Sequence, residues 1–513
     1  MQVTGTGHAG LRIDTSAGSI LCDPWVNPAF FASWFPFPDN SQLDWEHLGR
    51  VDYLYISHLH RDHFDPEHLR RCVSKKATVL LPDYPSSELE DALRELGFTS
   101  FLRTRSNEPV TLEGELTVMI QALTSPLDGP LGDSSLWVEH DGVRLLNQND
   151  ARPADLDEFA KLGHVHAHLL QFSGAIWYPM VYEMDQAAKA ELGRQKRRRQ
   201  IERTIHYIDD LKASWVFPIA GPPCFLDDEL WAFNDLGGDE ANIFMDQQAF
   251  IDDYHGRGHA NGVVLLPGSA ARLADDECEV THPVDDVRTF FEHKEEHLLA
   301  YRERQRAVIE AEKASWRHPD MDVLGELQRR IEPLLHASST LAGRLDDPVR
   351  LDLLDDGGTP VESILIDVPG RQVRRAAGED PGYQFRMKRT LVEHLLHCDE
   401  VDWVNSLFLS CRFSAKRPGQ YNEAVFSLFK CLSEERLRRA ESWYSDQSTD
   451  LTDITLDGWV VQRRCPHQKA DLGRFALIEG NVLTCQMHGW QFDLETGRCL
   501  TSTDHTIRAR RAR

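Results

Sequence analysis

The chain has no long hydrophobic run, and nothing in it approaches the roughly 18 consecutive apolar residues that cross a bilayer. Its start, MQVTGTGHAG, has no basic stretch leading into an apolar one, so a secretory signal is not expected. Cysteine is sparse: ten in 513 residues, scattered except for two near the C-terminus that have histidine neighbours. Without an export signal, a disulfide framework is not expected and a reducing cytoplasm is. Basic charge is also short, with 56 Lys and Arg against 82 Asp and Glu and a formal net charge of −26. That argues against nonspecific nucleic-acid binding, which needs cations spread over phosphates, but leaves room for a local basic pocket. Short-period repeats and low-complexity segments are missing as well.

What is present is an ordinary apolar content, 41%, on a chain of 513 residues. At roughly 100–200 residues per domain, about three domains are expected. Residues 1–285 alternate short apolar runs with turn signals. Strand candidates are Leu11–Asp14, Ser19–Cys22, Val51–Ile56, Thr78–Leu81, Leu116–Ile120, Ser135–Val138 and Val143–Leu146. Helices are expected over Pro66–Arg71, Ser86–Leu96 and Asp185–Leu211, which makes this an α/β layered region. Residues 286–440 begin with a long polar helix to about 316, part of it a solvated connector. They continue as an α+β domain with no chemical motif. Residues 441–513 are short strands punctuated by Gly458, Gly473, Gly480, Gly489 and Gly497, a small all-β module.

That last module contains Cys465-Pro466-His467 and, seventeen residues on, Cys485-Gln486-Met487-His488. Each loop offers one thiolate and one imidazole, as a Rieske [2Fe–2S] centre requires, with two Cys on one iron and two His on the other. A structural zinc site is the alternative, although zinc usually pairs Cys with Cys and His with His. The stretch CPHQKADLGRFALIEGNVLTCQMHGWQFDLETGRCL resembles Rieske ferredoxins and oxygenases of the lower-potential type. Ala470 and Gln486 stand near where the high-potential type has extra cysteines, and Cys499 reads as a buried structural thiol. The tail Arg508–Arg513 reads as a disordered end.

Upstream, the run VDYLYIS leads into His58-Leu59-His60-Arg61-Asp62-His63. A loop leaving a strand end can turn alternate side chains to a common point. An exposed His-rich loop is the bland alternative. The H-x-H-x-D-H order resembles the metallo-β-lactamase fold, an αββα sandwich. The resemblance implies one metal at His58 and His60 and a second at Asp62 and His63. It also implies a bridging carboxylate at Asp150 and support of the histidine loop by Asp23. Asp62 and Asp150 are the candidate catalytic carboxylates. Ligand type alone does not choose among Zn, Fe and Mn. Two histidines usual in this fold are missing, one in LTSPLDGPLGDSS and one at Ala220-Gly221. His164, His166 and His168 read as structural, or as a source of one more ligand. Arg194, Lys196, Arg197, Arg198 and Arg199 read as a solvated helix face, or as one or two cations reaching an anionic substrate group.

Over roughly the first 240 residues the chain resembles the CMP-N-acetylneuraminate hydroxylase family. The resemblance lies in DPWVNPAFFASWFPFP, YISHLHRDHFDPEHL, LLNQNDARP, LLQFSGAIWYP and VFPIAGPPCF. That family also joins a Rieske domain to a metallo-β-lactamase-like domain, but with the Rieske domain first. The resemblance implies a monooxygenase: non-haem iron, one or two atoms, receives electrons from the Rieske cluster and uses O₂ on a small substrate, with an anionic or nucleotide-linked one among the options. A ferredoxin, cytochrome or NAD(P)H-dependent reductase would be the electron donor, and an oligomer is compatible with it. No nucleic-acid or membrane partner is expected. The competing expectation is a zinc hydrolase, lactonase- or phosphodiesterase-like, with the Rieske domain as redox sensor. Hydrolysis needs no electrons, which favours the first.

Overall fold

A computed structural model describes residues 1–125, 131–237, 239–275, 277–445, 452–502 and 505–512. They form two compact units. The first takes in Met1–Thr124, residues 131–175 and Gly193–Arg306; the second takes in Ile176–Leu192 and the residues from Ala307 on.

The first unit contains fourteen strands among its described residues: β1 (Gln2–Gly7), β2 (Gly10–Thr15), β3 (Gly18–Cys22), β4 (Tyr53–Tyr55), β5 (Thr78–Leu81), β6 (Ser100–Arg103), β7 (Val110–Thr111), β8 (Thr117–Leu123), β9 (Asp133–His140), β10 (Val143–Asn149), β11 (Ala167–Gln171), β12 (Trp215–Ile219), β13 (Ala270–Ala274) and β14 (Glu277–Thr281). They make an eight-stranded sheet, β14-β13-β1-β2-β3-β4-β5-β6, and a six-stranded sheet, β12-β11-β10-β9-β8-β7. Successive strand side chains point to opposite faces, so both faces can be buried. Ile20, Tyr55 and Leu80 join Leu136, Val138, Leu145 and Leu169 in a core between the sheets. Their neighbours Leu21, Leu54 and Val79 turn outward onto Leu69, Leu89 and Leu93 of the helices Pro66–Cys72 and Glu88–Glu95. Outside the other sheet, the helix Gln186–Leu211 buries Ile201, Ile205 and Ile208. Helix Gln247–Gly256 sets Phe250 against Phe172, ring centroids 5.2 Å apart. The result is the αββα sandwich of the metallo-β-lactamase fold.

Two local expectations are corrected. The polar stretch from 286 is two helices, Val287–Glu292 and Lys294–Ser315, broken at His293. It is not merely solvated, because Leu298, Tyr301 and Ile309 are buried. The C-terminal tail is not a loose end. Ala509–Arg511 is a strand paired antiparallel with Trp459–Val461, and Arg511 lies over the Trp459 ring at 4.1 Å. Arg513 lies outside the described residues, as do residues 126–130 of the histidine-free stretch.

In the second unit, β15 (Val349–Leu354), β16 (Pro360–Asp367), β17 (Gln372–Arg375), β18 (Tyr383–Lys388) and β19 (Phe413–Lys416) form one sheet in the order β17-β16-β15-β18-β19. Helix Val323–Ala337 packs on it with Leu327, Ile331, Leu334 and Leu335 buried. The remainder is all-β: β20 (Asp453–Leu456), β21 (Trp459–Gln462), β22 (Ala476–Glu479), β23 (Val482–Cys485), β24 (Trp490–Asp493) and β25 (Ala509–Arg511) form two three-stranded sheets, β20-β21-β25 and β22-β23-β24. Among the described residues no helix is long and apolar enough to cross a membrane.

The His58–His63 loop is tied down from behind by Asp65. Its buried carboxylate caps the next helix at the His68 amide, 3.0 Å, and accepts from the amides of Val26 at 3.1 Å and Asn27 at 2.8 Å. Pro66 at the first helical position loses no bond, since that amide would be unpartnered anyway. Asp65→Ala removes a cap and leaves amides unsatisfied, so a loss of about 2–4 kcal/mol is expected in urea denaturation.

Candidate functional site

β3 and β4 run parallel, so the residues just past their ends meet. Asp23 Oδ1 accepts from the Ser57 amide at 2.7 Å, and Oδ2 accepts from the Ser57 hydroxyl at 2.7 Å. Oδ2 also lies 3.0 Å from His63 Nδ1, and both Asp23 and His63 are fully buried. With Nδ1 engaged, His63 presents Nε2 to Asp150 Oδ2 at 3.6 Å and to Asp62 Oδ2 at 3.9 Å. His58 is oriented in the same way: Nδ1 lies 2.9 Å from Ser57 Oγ and 3.3 Å from Asp133 Oδ1, leaving Nε2 2.7 Å from His60 Nδ1. An imidazole that donates through one nitrogen keeps the lone pair of the other for a cation.

The fold therefore brings His58, His60, Asp62, His63 and Asp150 to one place and adds His8. Two trios result, His58/His60/Asp150 and His8/Asp62/His63, each with its ligand-type atoms within 4.8 Å of one another. His8 Nε2 is 3.0 Å from Asp62 Oδ2. His8 sits at the β1–β2 turn in the left-handed region, φ 53°, and its carbonyl accepts from the Ala220 amide at 3.1 Å. The chain end where the late histidine is missing thus lies beside an imidazole from another strand. Asp23, Asn149 and Ala220 also have positive φ, at 41°, 42° and 54°. Strained backbone of this kind gathers at functional sites.

The charges are strongly coupled. Burial raises the Asp62 carboxyl, but His63, then His8 and His60, outweigh it and hold it well below the usual carboxylate range. Burial also raises Asp150, yet His63 brings it down to about 2. Burial disfavours the charged His63, and Asp150 and Asp62 together reverse that and raise it well above the usual value. The buried Asp62 and the half-buried Asp150 thus favour their charged forms, and between them they favour a protonated His63. A divalent cation would meet the same field. Asp62 Oδ1, Asp150 Oδ1 and His63 Nε2 are buried without a hydrogen-bond partner. Buried polar atoms rarely stay unsatisfied, so this donor set fits a metal.

The other histidines lie elsewhere. His168 Nε2 bonds Gln148 Oε1 at 2.8 Å, with burial lowering it to about 3; His166 Nδ1 accepts from the Arg144 amide at 3.0 Å; and His164 Nε2 lies 2.7 Å from Ser214 Oγ. The basic helix divides by face. Arg194 pairs with Glu240, and Arg197 pairs with Asp235 at 3.0 Å, while Lys196 and Arg199 turn another way.

In the second unit, Cys465 and Cys485 are fully buried, free of any disulfide and hydrogen-bonded to each other. The amides of His467 and Gln468 point at the first sulfur and those of Met487 and His488 at the second, a setting that suits thiolates. The His467 and His488 rings are 4.8 Å apart and perpendicular, and His467 stacks on Trp490 at 4.0 Å. His467 Nδ1 is buried without a partner, while its Nε2 lies 2.7 Å from Oε1 of the buried Glu423. This donor set fits a Rieske cluster. Cys499 is buried and accepts from the Ser502 amide at 3.3 Å.

Sequence reasoning missed His8, Asp133 and Glu423. His8 stands alone in MQVTGTGHAG, with no other ligand-type residue beside it in the chain. Asp133 lies in the stretch searched for a histidine. Glu423 opens the helix Glu423–Lys430 in a region without any motif.

Residues 449–507 match the Rieske [2Fe-2S] domain, and residues 323–446 match the Rv3818-like, SCP2-like domain. A Mycolicibacterium smegmatis protein named as a Rieske 2Fe-2S iron-sulfur protein is 49% identical over 519 residues, all of both chains. A Mycobacterium tuberculosis protein named likewise is 47% identical over 521 residues, again all of both chains. Xenopus laevis cytidine monophosphate-N-acetylneuraminic acid hydroxylase is 25% identical over 230 residues, 43% of this chain and 38% of that one. The solved structure of CmlA, a diiron β-hydroxylase from Streptomyces venezuelae, aligns at 16% identity with a TM-score of 0.35, over 53% of this chain and 54% of that one. With a metallo-β-lactamase-fold region first and a Rieske [2Fe–2S] domain last, the chain belongs to the family of Rieske 2Fe-2S iron-sulfur proteins that its two mycobacterial relatives represent.

Proposed function

We propose that the chain is a Rieske-dependent non-haem iron monooxygenase acting on a small substrate with O₂. In these terms it divides into a metal-binding domain (1–285), a middle domain (286–440) and a Rieske domain (441–513). The observation that carries the reading is a buried two-trio histidine–carboxylate centre in the same polypeptide as a one-electron Rieske module. Partial homology to a hydroxylase supports it.

A [2Fe–2S] cluster and non-haem iron, when bound, supply one-electron transfer and O₂ activation. Cys465 and Cys485 would hold one cluster iron, and His467 and His488 the other. His58, His60 and Asp150 would hold one metal position, and His8, Asp62 and His63 the other. Asp62 and Asp150 bring negative charge to the cation, and Asp23 and Asp133 hold His63 and His58 in orientation. Trp25 packs edge-on against His8 at 5.0 Å, and Phe30 lies 6.4 Å from His60, so apolar rings help to keep water from the centre. An external ferredoxin, cytochrome or NAD(P)H-dependent reductase would deliver electrons.

His8 completes a second trio, and two full trios would also serve a zinc hydrolase. The Rieske domain favours the oxygenase reading, because hydrolysis consumes no electrons.

Protein purified without oxygen is expected to contain iron beyond the two atoms of its cluster. His63→Ala and Asp150→Ala should lose that excess while keeping the cluster's visible spectrum. Zinc alone in the N-terminal centre, with esterase activity indifferent to reduction, would sink the oxygenase reading. A second expectation concerns Glu423, a negative acceptor on His467 that favours the more positive, oxidised cluster. Glu423→Gln should raise the reduction potential by about 60 mV, a tenfold change for one electron, in an EPR-monitored redox titration.

A further inference from the structure

Lys196, Arg199 and Arg203 are spaced i, i+3 and i+7 on the long helix, so they share one face. That face is packed onto the chain that follows Asp150. The Tyr207 hydroxyl donates to the Pro153 carbonyl at 2.6 Å, and the Thr204 hydroxyl donates to the Gln171 carbonyl at 3.1 Å. The Gln171 side chain in turn accepts from Arg152 Nη2 at 2.9 Å. Arg152, two residues past Asp150, is thereby drawn toward the same helix face.

Four cations gather there: Arg152, Lys196, Arg199 and Arg203. Arg203 is buried, and Lys196, Arg199 and Arg152 are half-buried. Among the described residues neither Lys196 nor Arg152 has a carboxylate within ion-pair distance, and the side chain that partners Arg152 is the neutral Gln171. Two other cations of the helix are paired with carboxylates, Arg194 with Glu240 and Arg197 with Asp235. Burial, and then the positive fields of Arg152, Arg203 and Arg199, pull the Lys196 ammonium down to about 7. Arg203 is brought down to about 9, first by burial and then by Arg152, while Asp150 acts in the opposite sense. Like charges crowded out of water are costly unless an anion joins them. A chain with a net charge of −26 has no shortage of carboxylates to place there.

We propose that Arg152, Lys196 and Arg203 form an anion-binding pocket beside Asp150 that holds the carboxylate or phosphate group of the substrate and so sets its reactive end at the metal centre. That this anion belongs to a substrate rests on the oxygenase reading. The pocket itself does not, and the test is therefore binding without turnover.

Inorganic phosphate is titrated into the full-length, metal- and cluster-loaded protein by calorimetry, at constant ionic strength and without reductant. One site per chain is expected. Lys196→Met and Arg152→Met should each weaken binding at least tenfold, Lys196→Arg should restore it, and Arg198→Met, on the exposed face, should leave it within twofold. Since Lys196 has no partner to lose, the thermal midpoint of Lys196→Met should hold or rise. Competing acetate separates a carboxylate pocket, if it displaces phosphate at comparable concentration, from a phosphoryl pocket, if it does not. Either result supports the pocket. Phosphate bound equally well by both Met variants is held by the metal or elsewhere and overturns the proposal. So does a parent protein with no saturable site, or a fall in the Lys196→Met midpoint. Absence of iron from the centre would end the oxygenase reading and leave these binding outcomes unchanged.

Discussion

Asp23 is fully buried, and its two oxygens accept from the Ser57 amide, the Ser57 hydroxyl and His63. Those contacts join the end of β3 to the end of β4 and determine which nitrogen His63 presents. A buried carboxylate is tolerated only when its oxygens are this well occupied. Ser57 then passes the constraint to His58, and its carbonyl accepts from the Ser134 hydroxyl at 2.8 Å, which ties the first sheet to the second. Every other residue of the N-terminal centre is placed relative to this link.

The sandwich explains why such a link is available. Parallel strands put their C-terminal ends on a common edge, the usual location of ligand sites in layered α/β folds. Asp23, Ser57, Asp150 and Ala220 all lie just past strand ends. Three polar segments then converge there without disturbing the apolar layer between Ile20, Leu136 and Leu169. The C-terminal module uses the same principle on a smaller scale, with two loops that bring buried thiols and imidazoles together and a carboxylate from a neighbouring helix that steadies one ring.

The strand candidates between Leu11 and Leu146 were legible because both faces of those strands are buried, and they read as apolar runs bounded by Gly, Asp and Pro. Strand β13, the edge strand β14 and the short C-terminal β25 were not. Glu277–Thr281 is a largely exposed polar edge strand, and Ala509–Arg511 is so basic that it resembles a loose tail. Its pairing with Trp459–Val461 comes from the ladder and the Trp459 ring, neither of which leaves a local trace.

Within the candidate site, spacing alone determined the residues that lie close along the chain: His58 to His63 on one loop, and the two Cys-His pairs of the Rieske module. A short loop has few ways to keep such groups apart. Only the tertiary structure decided that His8 stands by Asp62, that Asp133 orients His58, that Glu423 meets His467, and that Arg194 and Arg197 find carboxylates. These partners are separated by tens of residues, and what joins them is which strand ends and helix faces the cores bring together.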